Sequence, residues 1–139
     1  MANSLYDTAR EAFLTGAINW GTGTGGDVIK AILVDTGAYT VNLATHQYKS
    51  SIAGGAVIAG PVTLAGNATT RGAADANDLT FSAVSGTSIE AIVIYKFVTN
   101  DADSPLIAYI DTATGLPITP NGGDIIVTWD NGTNKIFKL

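Results

Sequence analysis

Ile89-Glu90-Ala91-Ile92-Val93-Ile94-Tyr95-Lys96-Phe97-Val98 decides the fold class. Successive side chains of a strand point to opposite faces, so one face reads Ile89, Ala91, Val93, Tyr95 and Phe97. The other carries Glu90, Ile92, Ile94 and Lys96, charged at its ends and apolar in its middle. A strand apolar on both faces belongs in the interior of a sheet that is covered on both sides. Outward from this segment, further strand-like runs occur at Val28–Asp35, Ala56–Leu64, Leu79–Val84, Leu106–Thr112, Ile125–Trp129 and Lys135–Leu139. Turn residues separate them: Gly60-Pro61, Gly66-Asn67, Ser85-Gly86, Asp103-Ser104-Pro105, Pro120-Asn121-Gly122-Gly123 and Asp130-Asn131-Gly132. Asn131-Gly132 is a hairpin signal, because both residues tolerate the positive φ of a tight turn. Ile125, Val127 and Trp129 share one face, which places Trp129 in the core.

One segment reads as helix, over residues 4–16. Ser4 is placed to cap it, Asp7 follows three residues later, and Gly16 is placed to end it. Leu5, Ala9, Ala12 and Phe13 form a stripe, with Asp7, Arg10 and Glu11 outside it. A helix of about three turns is unstable alone, so it must pack on a sheet or on a neighbouring subunit. A glycine-rich connection occupies residues 17–27, and an irregular stretch runs from Thr36 to Gly55 with one helical turn expected near Leu43–Tyr48. The expectation is a mainly β chain: a single antiparallel β-sandwich or jelly-roll-like domain over residues 1–139, with one short N-terminal α-helix.

The chain has 139 residues and no cysteine, so disulfides and cysteine-ligated metal sites are excluded. Seven Lys and Arg stand against 12 Asp and Glu, a net charge of −5 that disfavours nucleic acid and anionic membranes as partners. Apolar residues make up 46% and charged residues only 14%, which argues against disorder. No stretch is long and apolar enough for a membrane span, and Met1–Leu14 lacks the pattern of a secretory signal. The expectation is therefore a protein made and used without export through the secretory route.

Several residues invite a chemical reading. Gly21-Thr22-Gly23-Thr24-Gly25-Gly26 matches the spacing of a dinucleotide fingerprint, but a helix precedes it and a strand follows, the reverse of what pyrophosphate binding needs. His46 is the only imidazole, with no nucleophile motif beside it; the plain reading is a hydrogen-bonded surface or interface histidine. A hydrolase would need a pocket gathering His46 with carboxylates. Asp75, Asp78, Asp101, Asp103, Asp124 and Asp130 stand next to turn residues and read as turn-formers. Asp101-Ala102-Asp103 lacks the glycine and the distal glutamate of a calcium loop. Trp20, Tyr39 and Tyr48 are sugar platforms or interface anchors if exposed, and core lids if buried. No cofactor, metal or catalytic residue is expected.

The chain resembles small virion proteins of tailed bacteriophages. The resemblance runs nearly end to end and is carried by three strings. The first is Ala2-Asn3-Ser4-Leu5-Tyr6-Asp7 with Phe13-Leu14, and the second is Leu43-Ala44-Thr45-His46. The third runs from Ile107-Ala108-Tyr109-Ile110-Asp111-Thr112-Ala113-Thr114-Gly115-Leu116-Pro117 through Asn121-Gly122-Gly123-Asp124 to Thr128-Trp129-Asp130-Asn131-Gly132 and Lys135-Ile136-Phe137. It implies a non-enzymatic structural protein, of the kind that decorates or cements a capsid. The implied partner is the major capsid protein, with a homodimer or homotrimer over capsomer junctions, on the virion surface after assembly in the host cytoplasm. Interface residues are then expected among Leu5, Tyr6, Phe13, Trp20, Tyr39, His46 and Tyr48. The alternative is a tail-associated or carbohydrate-binding β-sandwich, which requires Trp20 or Tyr39 to face solvent.

Overall fold

The computed structural model describes residues 3–21 and 26–139. The chain folds as β1 (Ser4–Leu5), α1 (Asp7–Thr15), β2 (Ile29–Val34), β3 (Val57–Thr63), β4 (Ala68–Thr70), β5 (Ala73–Asp75), β6 (Leu79–Phe81), β7 (Ala91–Lys96), β8 (Leu106–Ile110), β9 (Ile125–Val127) and β10 (Phe137–Lys138). Short 3₁₀ turns at Lys49–Ser51 and Gly54–Ala56 interrupt the long connection between β2 and β3. The strands form a five-stranded sheet of order β1-β8-β7-β2-β3, a three-stranded sheet β10-β5-β4 and a two-stranded sheet β6-β9. Every pairing is antiparallel. The chain is mainly β, and among the described residues there is one short α-helix near the start and no closed barrel.

β7 takes the middle place in the large sheet, and Ala91 to Tyr95 are all buried, as its two apolar faces require. Its register sorts those faces. Val93 lies between Ile32 and Tyr109, whereas Ile92 lies between Leu33 and Ile110. The first face is covered by the irregular stretch: the Tyr39 ring is 6.5 Å from that of Tyr109, and Lys49 Nζ stands 5.7 Å above Tyr95. The second is covered by the small sheets, since Leu33 and Ile92 line one crevice with Ile125 and Val127 of β9. Ala108 and Ile110 line another with Ile136 and Phe137.

The helix starts later than its sequence suggests. Residues 4 and 5 pair instead with Tyr109 and Ala108 at the sheet edge, and Tyr6 N–H donates to Ile107 O at 3.0 Å. Ser4 therefore caps nothing; Tyr6 is the N-cap, with extended backbone and no side-chain cap. The Leu43 carbonyl accepts the Asp7 N–H at 2.9 Å, one of the donors a helix leaves unpaired at its start. Asp7 and Arg10 pair at 2.8 Å on the exposed face, while Ala9 is buried and Ala12 and Phe13 pack against the core. Gly16 ends the helix with φ 78°, its N–H returning to Ala12 and Phe13.

Other expectations change in tertiary context. Gly60-Pro61 is not a turn between strands but lies inside β3, at the sheet edge where proline's missing donor costs least. Gly60 has φ 96°, and a Cβ there would sit 2.8 Å from Ala31 O and 3.1 Å from the Phe81 ring. Asp130-Asn131-Gly132 does not close a hairpin: β9 pairs with β6 and β10 with β5. Asp130 Oδ1 instead accepts the Gly132 N–H at 3.0 Å, a local Asx turn. The helical turn near Leu43–Tyr48 is present as a single i→i+4 bond, His46 N–H to Asn42 O at 2.9 Å.

Trp129 is buried, its indole N–H donating to Asn77 O at 3.1 Å. Thr22–Gly25 of the glycine-rich connection lie outside the described residues. On its flanks, Asp27 N–H donates to Asn19 O at 2.9 Å and Asp27 Oδ2 stands 3.2 Å from Lys96 Nζ.

Candidate functional site

The segments that begin at Asn3, Leu43 and Ile107 are far apart in sequence and adjacent in the fold. Asn3 joins the first to the third: its amide nitrogen donates to Thr112 O at 2.8 Å, and its Oδ1 accepts the N–H groups of Asp111 and Thr112 at 3.0 and 2.9 Å. β1 then continues the same junction as the edge strand beside β8. The Asp7–Leu43 bond joins the first string to the second.

Beneath this junction lies a buried polar chain. Tyr6 is fully buried, and its hydroxyl is 2.9 Å from that of Tyr39, which is 2.9 Å from His46 Nδ1. The Asn42 N–H also points at Nδ1, at 3.3 Å. An amide can only donate, so Nδ1 presents its lone pair and the ring proton belongs on Nε2. The bonds therefore run one way, from Tyr6 to Tyr39 to His46. Burial pushes the Tyr6 phenol far above its ordinary value, and the bond to Tyr39 adds to the effect. Burial raises Tyr39 as well, opposed by the bond it accepts from Tyr6. Both rings stay neutral at physiological pH. This arrangement braces the irregular stretch against the sheet; His46 Nδ1 faces a phenol and a backbone amide rather than a serine and a carboxylate.

The seven expected interface residues divide. Leu5, Tyr6, Trp20 and Tyr39 are buried in the chain's own core, whereas Phe13, His46 and Tyr48 are half-buried. Neither Trp20 nor Tyr39 offers a ring face to solvent, so neither is available as a sugar platform. Trp20 donates from its indole nitrogen to Asp75 O at 2.9 Å and meets Phe137 edge-on at 5.2 Å. Phe13 contacts the same Phe137 ring at 5.8 Å, which ties α1 to β10 within one chain. The sequence could not decide this packing, because β10 is a two-residue strand remote in sequence from both aromatics.

The carboxylates are largely structural, and only some act as local turn-formers. Asp75 and Asp130 accept nearby backbone N–H groups, whereas the Asp103 carboxylate accepts from the Asn100 side-chain amide at 3.0 Å. Asp78 accepts the Trp129 N–H at 3.0 Å and Asp124 the Ala83 N–H at 3.0 Å, both across long sequence separations. Asp101 pairs with Lys49 at 3.0 Å. Glu90 Oε1 accepts from the Thr36 amide and hydroxyl at 2.9 and 3.1 Å, and Ser88 donates to its other oxygen. Asp35 is held below the ordinary carboxylate range by bonds from the Thr87 hydroxyl at 2.7 Å and the Gly37 N–H at 2.8 Å. Among the described residues, no group of three or more His, Asp and Glu side chains is placed to hold a metal ion.

What the surface does offer is apolar contact. Leu14 at the end of α1 is 88% exposed and Ile126 on β9 is 67% exposed. Two clefts flank β10, one of about 420 Å³ lined by Phe13, Trp20 and Phe137, the other of about 730 Å³ running between β1 and β10. Sequence reasoning missed Leu14 and Ile126, the first just past the last residue of the helix stripe and the second between two inward residues; exposure is their only signal. Compared with known proteins, the chain matches no family model and no curated protein sequence.

Proposed function

We propose that this chain is a non-enzymatic structural protein of a tailed-phage virion, and that it decorates the capsid and cements the assembled shell at capsomer junctions. The reading rests on the resemblance of its three strings to small phage virion proteins. One structural observation supports it: Tyr39, His46 and Glu90 are engaged in bracing the fold, while large apolar side chains such as Leu14 and Ile126 stand exposed. Such a surface suits binding to another protein. A protein that binds the assembled shell and not free subunits stabilises the shell by mass action. Bridging two capsomers multiplies weak contacts through effective concentration.

The test is the copy number of the chain in purified virions, measured by quantitative mass spectrometry against the major capsid protein. Copies comparable to the capsid protein are expected. A few copies per particle would move the chain to the tail, and its absence would end the virion reading.

A further inference from the structure

The charges of this chain are not evenly placed. The groove between β1 and β10 is lined by Arg10, Lys135 and Lys138, three of the seven cations in a chain of net charge −5. Leu14 and Leu139 line the same groove and are 88% and 61% exposed. Lys135 leans toward Asp75 at 3.9 Å and Arg10 pairs with Asp7, but Lys138 is exposed and carries no ion pair among the described residues.

Beside this groove lies a surface of the opposite kind. Along β9 and its flanks, Ile125, Val127 and Trp129 turn inward while Asp124, Ile126, Thr128 and Asp130 are all exposed. Thr80 pairs with Ile126 on the neighbouring strand β6, and Asp78 is exposed just ahead of that strand. The exposed side of β9 and its flanks therefore carries Ile126 between Asp124 and Asp130 in the chain, with Asp78 exposed at the start of the paired strand. Asp130 also lines the cationic groove, so the two surfaces are neighbours.

We infer that the chain forms a two-fold homodimer in which the Leu14–Lys138 groove of each copy receives the Ile126–Asp124 face of the other. A two-fold contact uses the same patch on both copies, so it needs a patch that contains both complementary halves. Adjacent cationic and acidic surfaces, each centred on an exposed apolar side chain, meet that need. The apolar side chains leave water at the centre while the charges fix register and suppress wrong pairings. This inference does not depend on the virion reading, since it concerns the purified chain alone.

The experiment is sedimentation equilibrium of the purified protein, wild type and variants, over micromolar to millimolar concentration. The wild type should sediment at twice 14.2 kDa, with association weakening as salt rises. Leu14→Asp and Ile126→Asp should each weaken it at least tenfold; both sites are too exposed for the change to unfold the chain. Lys138→Glu and Asp124→Lys should each weaken self-association, and an equimolar mixture of the two should recover the dimer, because the mixed pair again sets opposite charges together at both contacts, one swapped and one native. Circular dichroism of each variant keeps folding separate from association. A wild type that stays monomeric throughout, a dimer indifferent to Leu14→Asp and Ile126→Asp, or a mixture of charge variants that does not re-associate would each overturn the proposal.

Discussion

Asn3 shows how much one short side chain can organise. Through three hydrogen bonds it holds the start of the described chain to Asp111 and Thr112, 108 and 109 residues away. The amide is exposed, so each bond adds modestly, and Asn3→Ala should cost about 1–2 kcal/mol in urea denaturation. The buried Tyr6–Tyr39–His46 chain carries a larger penalty for damage. Tyr39→Phe leaves the Tyr6 hydroxyl without its partner inside the core and should cost about 1–3 kcal/mol. Tyr6→Phe with Tyr39→Phe removes both hydroxyls, so the double variant should lose less than the sum of the singles. Strict additivity in that cycle would mean the two hydroxyls are not coupled.

Elements in this protein are decided by what they pair with. β1, β4 and β5 span only two or three residues each, and no alternation in Ser4-Leu5, Ala68-Thr69-Thr70 or Ala73-Ala74-Asp75 announces a strand. Their hydrogen-bond partners come from β8 and β10 or from each other, and pairing across such distances leaves no local trace. The long strands β2, β7 and β8 carry their own evidence, because burial on both faces demands near-continuous apolar sequence.

Two glycines separate a conformational cost from a packing cost. Gly16 has φ 78° with open space where a Cβ would go, so Gly16→Ala should lose about 1–2 kcal/mol from the left-handed backbone alone. Gly60→Ala adds a 2.8 Å approach to Ala31 O and a clash with Phe81, so it should be clearly the more damaging. Melting temperatures of the two variants give the comparison; equal losses would refute the packing argument.

At the scale of the whole molecule, the tyrosines report on the core between the large sheet and the irregular stretch that covers it. Burial pushes Tyr95 and Tyr109 up to about 12, with Asp101 and Asp111 respectively adding to the shift, and Tyr6 and Tyr39 are raised as well. The unfolded chain ionises its phenols near pH 10. Above that value the unfolded state has lost protons that the folded state keeps, so stability falls as pH rises from about 10 to about 12 and is unaffected by these groups below it. Phenolate absorbance should therefore appear together with the loss of circular dichroism. Full ionisation near pH 10 with the fold intact would show that these rings are not buried.

Some of this protein was decided locally and some was not. The mainly β architecture, the central place of Ile89–Val98, the inward Trp129 and the Gly16 stop are legible in the sequence, because burial on one or two faces and positive-φ backbone impose residue types at fixed spacing. The start of the helix, the extra strands and the fate of the aromatics are not. Ser4 is a good cap by type, but the edge of β8 claimed its backbone first. Trp20 and Tyr39 have the same composition whether exposed or buried, and Phe137 and Tyr6 settle the matter from remote positions. Only the tertiary structure brings Asn3, Asp7, Leu43, Asp111 and Thr112 into one junction, and only there do the cations around Leu14 come near Asp130 beside β9. Charge and exposure at a surface depend on which segments meet in space, and sequence order does not contain that.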